Sequence, residues 1–392
     1  MTIQMTDLVA QFEQRFKRDA RIGGFSPGRV NLIGEHIDYN GGHVFPVAID
    51  IGTYGVAAPR MDRTVRVYSN NMKDCGVITF DLEDLSYKDA DHYANYIKGM
   101  LLYLKEVAPQ LDHGFDLLIE GNLPYGASLS SSASLEMLVG RLMIEMFQIE
   151  MPLMDLVQIG KRVENAYIGV NSGIMDQFII AFGKASTAFL LDTHTLKYDE
   201  IKTHFEPYQL VIMNTNKSRE LKTSKYNERR SECEEALKQL QSECDINALC
   251  ELDVATFEQH QHMIKDDVLR RRARHAVLEN DRTRQVCEAL NQGDYETYGQ
   301  LLNASHASLK SDFEVTGIEL DTLAEAAQQQ QGCIGARMTG GGFVGCAIAF
   351  VHHDHIETFK EAVTTVYTNK IGYPPSFYVV NVSDGAKIIE IS

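Results

Sequence analysis

Four polar, glycine-punctuated stretches hold most of the residues in this chain whose types and spacing could do chemistry. The first, Ser26 to Gly42, sets Arg29, Glu35, His36, Asp38 and Tyr39 among four glycines and one proline. Gly and Pro mark loop and turn backbone rather than a continuous helix. Apolar residues are sparse here, so the stretch reads as a poor core element and a dense set of hydrogen-bonding groups. The second, Gly121 to Glu136, places five serines in the seven residues from Ser128 to Ser134, after a Gly/Pro turn and before an apolar helix. A helix N-terminus offers unsatisfied N–H groups and the positive end of the macrodipole. Small residues before it let a phosphate approach the backbone, and Ser hydroxyls can donate or ligate a metal. The Lys of a GxxxxGK[ST] loop is missing, so this is not a Walker A motif. The third, Gly169 to Gln177, is a Gly-punctuated loop that enters a helix at Asp176. The fourth, Gly335 to Phe350, carries five Gly in eleven residues ahead of a buried-looking strand.

Each stretch also has a plainer reading: a polar surface loop, a Ser-capped helix, an Asp N-cap, a hairpin connection. Two further clusters favour the plain reading outright. Arg270, Arg271, Arg272 and Arg274 sit at helical spacing beside many acids and read as a salt-bridged solvated face. His352-His353-Asp354-His355 is compact enough to suggest a metal, but a strand end with Asp354 capping the next helix explains it more simply.

The elements that must position these stretches follow from periodicity. Helices are expected over Thr6–Phe16, Tyr93–Val107, Ser132–Phe147, Leu153–Tyr167 (with Glu164 near its end), Asp176–Ala181, Glu220–Gln241, Val268–Asn291, Tyr295–Leu309 and Ile356–Tyr367. Strands are expected over Val44–Ala58, Thr64–Tyr68, Val77–Phe80, Gly114–Glu120, Ala188–Leu191, Leu210–Asn214, Phe377–Val382 and Lys387–Ile391. The polar segment Asp199–Pro207 reads as a connection. A domain boundary is placed there, dividing the chain into 1–206 and 207–392.

With 392 residues the chain is long enough for two cores. A net charge of −17 repels a phosphate backbone, which argues against nucleic acid as a general partner. It also means that a polyanionic ligand needs a local positive site or a metal. No apolar run is long enough for a membrane span, and Met1 to Arg18 lacks the apolar region of a secretory signal. Seven cysteines with no CxxC fit free thiols in a reducing cytosol, so a cytoplasmic location is expected.

Taken together, the segments GRVNLIGEHxDYN, GASLSSSASLE and GARMTGGGFVGC resemble the galactokinase family of the GHMP small-molecule kinases, in the family's order, with similarity in the connecting segments over nearly the whole chain. Three positions depart from the pattern: Ile37 stands for the usual Thr, and Ser128 and Val344 for glycines. The resemblance implies a two-domain α+β fold with the active site in the cleft between the domains. The N-terminal domain would be similar to the second domain of ribosomal protein S5, and the C-terminal one would set helices against a mostly antiparallel sheet. It also implies phosphorylation of galactose by ATP, with Mg²⁺, to galactose 1-phosphate and ADP, at the entry to the Leloir pathway. The expected state is a monomer, with a homodimer left open.

By the same resemblance, Glu35, His36, Ile37, Asp38, Gly173 and Tyr226 form the sugar site. Gly126, Ala127, Ser128, Leu129, Ser130, Ser131 and Ser132 wrap the phosphates, and Ser69 is a further nucleotide contact. Ser132 and Glu164 hold Mg²⁺, an oxygen-only set that suits this cation. Asp176 is the base at the anomeric hydroxyl and Arg29 its partner. Members of the family that act only as sugar sensors lose part of the Ser run, which is complete here from Ser130 to Ser134.

Overall fold

The computed structural model describes residues 3–124, 127–217 and 222–391, without the side chains of residues 222–224. The first half runs α1 (Met5–Phe16), β1 (Ile22–Asn31), β2 (His43–Val44), β3 (Pro46–Pro59), β4 (Thr64–Ser69), β5 (Ile78–Asp81), α2 (Ala94–Val107), β6 (Phe115–Gly121) and α3 (Ser131–Met146). It continues with α4 (Leu153–Arg162), a π turn over Val163–Ile168, α5 (Met175–Phe182), β7 (Thr187–Asp192) and β8 (Tyr198–Lys202). The second half runs β9 (Tyr208–Asn214), α6 (Lys222–Leu240), α7 (Val254–His260), α8 (Asp267–Gln292) and α9 (Tyr295–Ser308), then a second π turn over Leu309–Phe313. It closes with α10 (Gly317–Gln328), β10 (Cys333–Thr339), β11 (Cys346–His352), α11 (Ile356–Ile371), β12 (Ser376–Val380) and β13 (Lys387–Ile389).

Three sheets result. The first has six strands in the order β13-β1-β3-β6-β4-β5, antiparallel except where β4 runs parallel to β6. The second is the antiparallel set β10-β11-β9-β12, and the third the small sheet β2-β7-β8. Leu8, Phe12 and Phe16 recur at helical spacing and bury α1 against β3 and β6, beside Val56, Ala58 and Leu118. Helix α3 lies across β1 and β3. Its Leu138 comes so close to Gly55 that a Cβ there would meet Leu138 Cδ2 at 2.9 Å, and the start of α3 lies beside β1, where Ser134 Oγ donates to the Ser26 carbonyl and the Arg29 N–H to the Leu129 carbonyl.

Several expectations need correcting. Ser26–Asn31 is not loop: it belongs to β1, all ten of whose residues are buried. Pairing with β3 runs along this whole segment, while β13 pairs only with Gly23–Phe25 before it, so small residues serve a buried strand as well as large ones. The segment around 199–207 contains the exposed edge strand β8, paired with β7. The expected boundary near 206 falls in the turn after it, yet β13 returns to pair with β1, so the C-terminal residues complete the first sheet. Helices α7 and α10 had no expectation, and residues 220 and 221 of the expected Glu220–Gln241 helix lie outside the described residues. Arg272 is buried rather than solvated, because Glu232 and Glu314 meet it from either side at 2.7 Å. His352, not Asp354, provides the cap after β11, accepting from the Asp354 N–H.

Candidate active site

The strands and helices described above end at one cleft of ≈ 240 Å³. The end of β1 and the loop after it supply Arg29, Glu35, His36 and Asp38. Ser128 and Ser130–Ser132 come from the approach to α3, Glu164 from the first π turn, Gly173 from the loop before α5, Asp176 from its first turn, and Tyr226 from α6. π turns are frequent at functional sites, and this one turns Glu164 toward Ser132, whose Oγ donates to Glu164 Oε1 at 2.7 Å.

The centre of the cleft is an Arg–Asp pair. Arg29 donates from Nε to Asp176 Oδ1 at 2.6 Å and from Nη2 to Oδ2 at 2.8 Å. Its third branch, Nη1, donates to the Ser128 carbonyl at 2.7 Å, which ties the pair to the serine loop. The Ser130 hydroxyl donates to Asp176 Oδ2. Ser130 is the N-cap of α3, yet its side chain makes no cap bond. With its hydroxyl committed to Asp176, the first N–H groups of α3 stay open toward the cleft. Ser128 and Ser130 both sit at φ 60°, a left-handed conformation that costs a non-glycine residue about 1 kcal/mol. Backbone of this kind gathers amides into an anion-binding concavity.

The side of the cleft lined by Glu35, His36, Asp38, Gly173 and Tyr226 is acidic and tightly fitted. A Cβ at Gly173 would fall 1.7 Å from Asp38 Oδ2, so glycine is required there. The His36 ring lies 5.3 Å from Tyr226 and 4.8 Å from Phe313, and its Nδ1 pairs with the Tyr39 hydroxyl at 2.8 Å. Glu35 Oε1 accepts from the Gly340 N–H at 2.8 Å and from Thr339 Oγ1 at 3.1 Å, linking this loop to the fourth stretch.

Charge is unbalanced. Among the described residues lining the cleft, Arg29 is the one Lys or Arg, against Glu35, Asp38, Glu164 and Asp176. Burial, then the nearby Asp176 and Glu35, push the Asp38 carboxyl up to about 6. Burial also raises Glu164, despite the Ser132 hydrogen bond. Behind Glu164, burial and the Glu164 charge hold Glu136 well above the carboxylate range, while Gln177 donates to its Oε2 at 3.0 Å. Burial opposes the charge of Arg29, but Asp176, helped by Glu35 and Asp38, outweighs it and raises its pKa. A polyphosphate could enter such a site only with a cation beside it. Ser132 and Glu164 supply the oxygen donors a hard divalent ion takes.

The sequence compares accordingly. It matches the galactokinase galactose-binding signature over residues 10–59, the GHMP kinases N terminal domain over 95–184 and the GHMP kinases C terminal domain over 287–369. A galactokinase of Staphylococcus carnosus is 55% identical over 99% of this chain and 100% of its own length. The chain belongs to the galactokinase family. The structure of a Lactococcus lactis galactokinase complexed with galactose superposes with a TM-score of 0.95 at 51% identity, covering 98% of this chain and 99% of that one. A mevalonate kinase structure at 18% identity and TM-score 0.65 shares the fold alone. The fold is thus the two-domain α+β arrangement of GHMP kinases.

Within this galactokinase frame, Arg29, Glu35, His36, Asp38, Ser128, Ser130, Ser131, Ser132, Glu164, Gly173, Asp176 and Tyr226 line one cleft. Four expected residues do not. Ile37 is fully buried, its side chain packed toward Gly42. Ala127 and Leu129 turn into the core, and Leu129 enters the site only through its carbonyl, which accepts from the Arg29 N–H. Ser69 is buried at the end of β4, where its Oγ accepts from the Asn71 N–H. Gly126 lies outside the described residues. Tyr96, Val170, Ser172, Met175, Gly340 and Gly341 line the cleft without having been assigned a role. The glycine run signalled the last two, whereas Tyr96 sits in an amphipathic helix where an aromatic reads as core.

Proposed function

We propose that this protein transfers the γ-phosphoryl group of ATP to the anomeric hydroxyl of D-galactose, giving galactose 1-phosphate and ADP. One observation carries the reading: the Arg29–Asp176–Ser130 cluster is tied through Ser130 to the N-terminus of α3 and shares one cleft with the closely packed Asp38 and Gly173. A nucleotide phosphate and a sugar hydroxyl can therefore meet at Asp176.

Asp176 has about four lone-pair sites on its two oxygens. Arg29 takes one on each oxygen and Ser130 a second on Oδ2, so a site on Oδ1 remains for the acceptor hydroxyl. The carboxylate then orients that hydroxyl and receives its proton as phosphorus–oxygen bonding shifts. In a loose transition state the proton moves late, so positioning and electrostatics dominate the rate. Arg29 fixes both carboxylate oxygens and faces the transferring group with positive charge. The open amides of α3, with Ser131 and Ser132, hold the phosphates; Ser69, buried away from the cleft, takes no part. Ser132 and Glu164 would hold Mg²⁺, which when bound neutralises phosphate charge. Glu35, His36, Asp38, Gly173 and Tyr226 grip the sugar. Acids accepting adjacent hydroxyls are left unpaired by the wrong epimer, a strong means of rejection.

Residues 1–206 form the sugar- and phosphate-binding half and 207–392 the second half, apart from the returning β13. The proposed location is the cytoplasm and the proposed state a monomer; no helix among the described residues is long and apolar enough to cross a membrane. The test is a coupled ADP-release assay with galactose, glucose and N-acetylgalactosamine. Galactose-dependent release is expected, with glucose rejected. ADP release that ignores galactose, or prefers another sugar, overturns the proposal.

A further inference from the structure

Glu35 is held almost wholly from the second half of the chain. Besides Gly340 and Thr339, Arg337 Nη1 approaches its Oε1 at 3.4 Å. The Glu35 carbonyl accepts from His275 Nε2 at 3.1 Å. The preceding residue, Gly34, gives its N–H to Glu279 Oε1 at 3.2 Å. His275 and Glu279 are one turn apart on α8, and both are fully buried. Arg337 on β10 is fully buried too. Its Nη1 also donates to the carbonyls of Asn31 at 3.2 Å and Leu32 at 3.1 Å, and its Nε donates to Ser305 Oγ at 3.1 Å.

The protonation states are consistent with a fixed scaffold. A carbonyl oxygen only accepts, so His275 carries its hydrogen on Nε2. Burial pushes its pKa down to about 4 and keeps the ring neutral. Burial works against the Glu279 charge, but Arg282, with Arg337 and the Ser305 hydrogen bond, outweighs it and holds the carboxyl down at about 2. Paired charges buried at this depth add little net stability over an apolar core. What they do provide is a set of fixed directions.

We propose that Arg337, Glu279 and His275 are positioning residues for sugar recognition. They clamp the backbone from Asn31 to Glu35 and, with Thr339 and Gly340, occupy one carboxylate oxygen of Glu35. Among the described residues the hydrogen bonds to that carboxylate all fall on Oε1. Oε2 is thus left to the cleft that Glu35 lines. The clamp selects for a hydroxyl-bearing ligand of fixed shape, because Glu35 cannot swing to follow a different one. This inference rests on galactose being the acceptor.

The experiment compares Arg337→Lys, Thr339→Val and Thr339→Ser with the parent chain, each checked for folding by circular dichroism. Lys keeps the charge but loses the fork that reaches Asn31, Leu32 and Glu35 together. A lost grip that is equal in ground and transition states raises KM and leaves kcat nearly in place. Arg337→Lys is therefore expected to raise the galactose KM roughly ten- to hundredfold, with the ATP KM moving less than about twofold. Thr339→Val removes one donor to Oε1 and should raise the galactose KM about three- to tenfold. Thr339→Ser restores the hydroxyl and should recover the parent value. A galactose KM unchanged in a folded Arg337→Lys or in Thr339→Val, or an ATP KM rising in step with it, overturns the inference. If Arg337→Lys fails to fold, the Thr339 pair still decides. Absence of galactose-dependent ADP release in the parent would instead overturn the proposed function itself, before any variant is compared.

Discussion

Asp38 offers a sharp test, because the same burial that equips it to bind a sugar should weaken the empty protein. Its carboxyl is pushed up to about 6 by burial and by the neighbouring Asp176 and Glu35, against about 3.9 in an unfolded chain. The sign follows from linkage. The folded state resists ionising Asp38, so the penalty is full above pH 6, fades as pH falls through 6, and is gone below about 4. At pH 7.5 a displacement of about two units amounts to about 3 kcal/mol, and at pH 5 to about 1.5 kcal/mol. Asp38→Asn carries no charge, and its amide oxygen can still accept from the Tyr39 N–H that now bonds Oδ1. The variant should therefore be more stable than the parent by about 2–3 kcal/mol at pH 7.5, with the gap roughly halved at pH 5. Urea unfolding without sugar at the two pH values measures it. The same variant should raise the galactose KM by about tenfold or more, since a charged acceptor is lost, and should leave the ATP KM close to the parent's. In the parent, galactose affinity should fall by up to about tenfold per pH unit below 6. A variant no more stable than the parent at pH 7.5, or a gap that ignores pH, refutes the reasoning about burial. Equal shifts in both KM values refute the sugar contact.

Three further outcomes follow from the same geometry. Asp176→Asn should bind both substrates yet lose turnover by about 10² or more, measured as kcat beside calorimetric affinities; near-normal turnover removes Asp176 from its role. Glu164→Gln should raise the Mg²⁺ concentration for half-maximal activity about tenfold or more, read from a magnesium titration at fixed ATP, and an unchanged titration excludes Glu164 as a ligand. Gly173→Ala would drive a Cβ to 1.7 Å from Asp38 Oδ2, displacing that carboxylate, so kcat/KM for galactose should fall about 10²-fold; parent-like kcat/KM would show that Asp38 can move without loss.

The helices and strands around the cleft were legible because their faces are apolar on a regular period. Leu8, Phe12 and Phe16 announce α1 and its buried side at once. The polar residues that share the cleft stood out for the opposite reason: Arg29, Asp38, the Ser run and Asp176 are polar groups set among glycines where a core would be apolar, and the roles expected of them came from the family resemblance. What could not be read was burial without apolar residues. β1 is buried along its whole length although its last six residues are Ser, Pro, Gly, Arg, Val and Asn, because strand pairing rather than side-chain transfer satisfies it. Helix α8 shows the same thing on a larger scale. Its charges suggest a solvated helix, yet Arg272, His275, Glu279, Asn280 and Thr283 form a buried polar stripe at three- and four-residue spacing, beside Ala273, Ala276 and Val277. The partner that makes such burial tolerable is remote: Glu35 and Arg337 are 302 residues apart, and Gly34 and Glu279 are 245 apart. Hydropathy treats each polar residue alone, so it assigns these to solvent. A stripe of His, Glu, Asn and Thr at helical period, flanked by alanines, has a different physical meaning. Small neighbours bring the backbones close, and the polar groups then need partners of fixed geometry, which is the condition under which a helix can hold a distant ligand-binding loop in place.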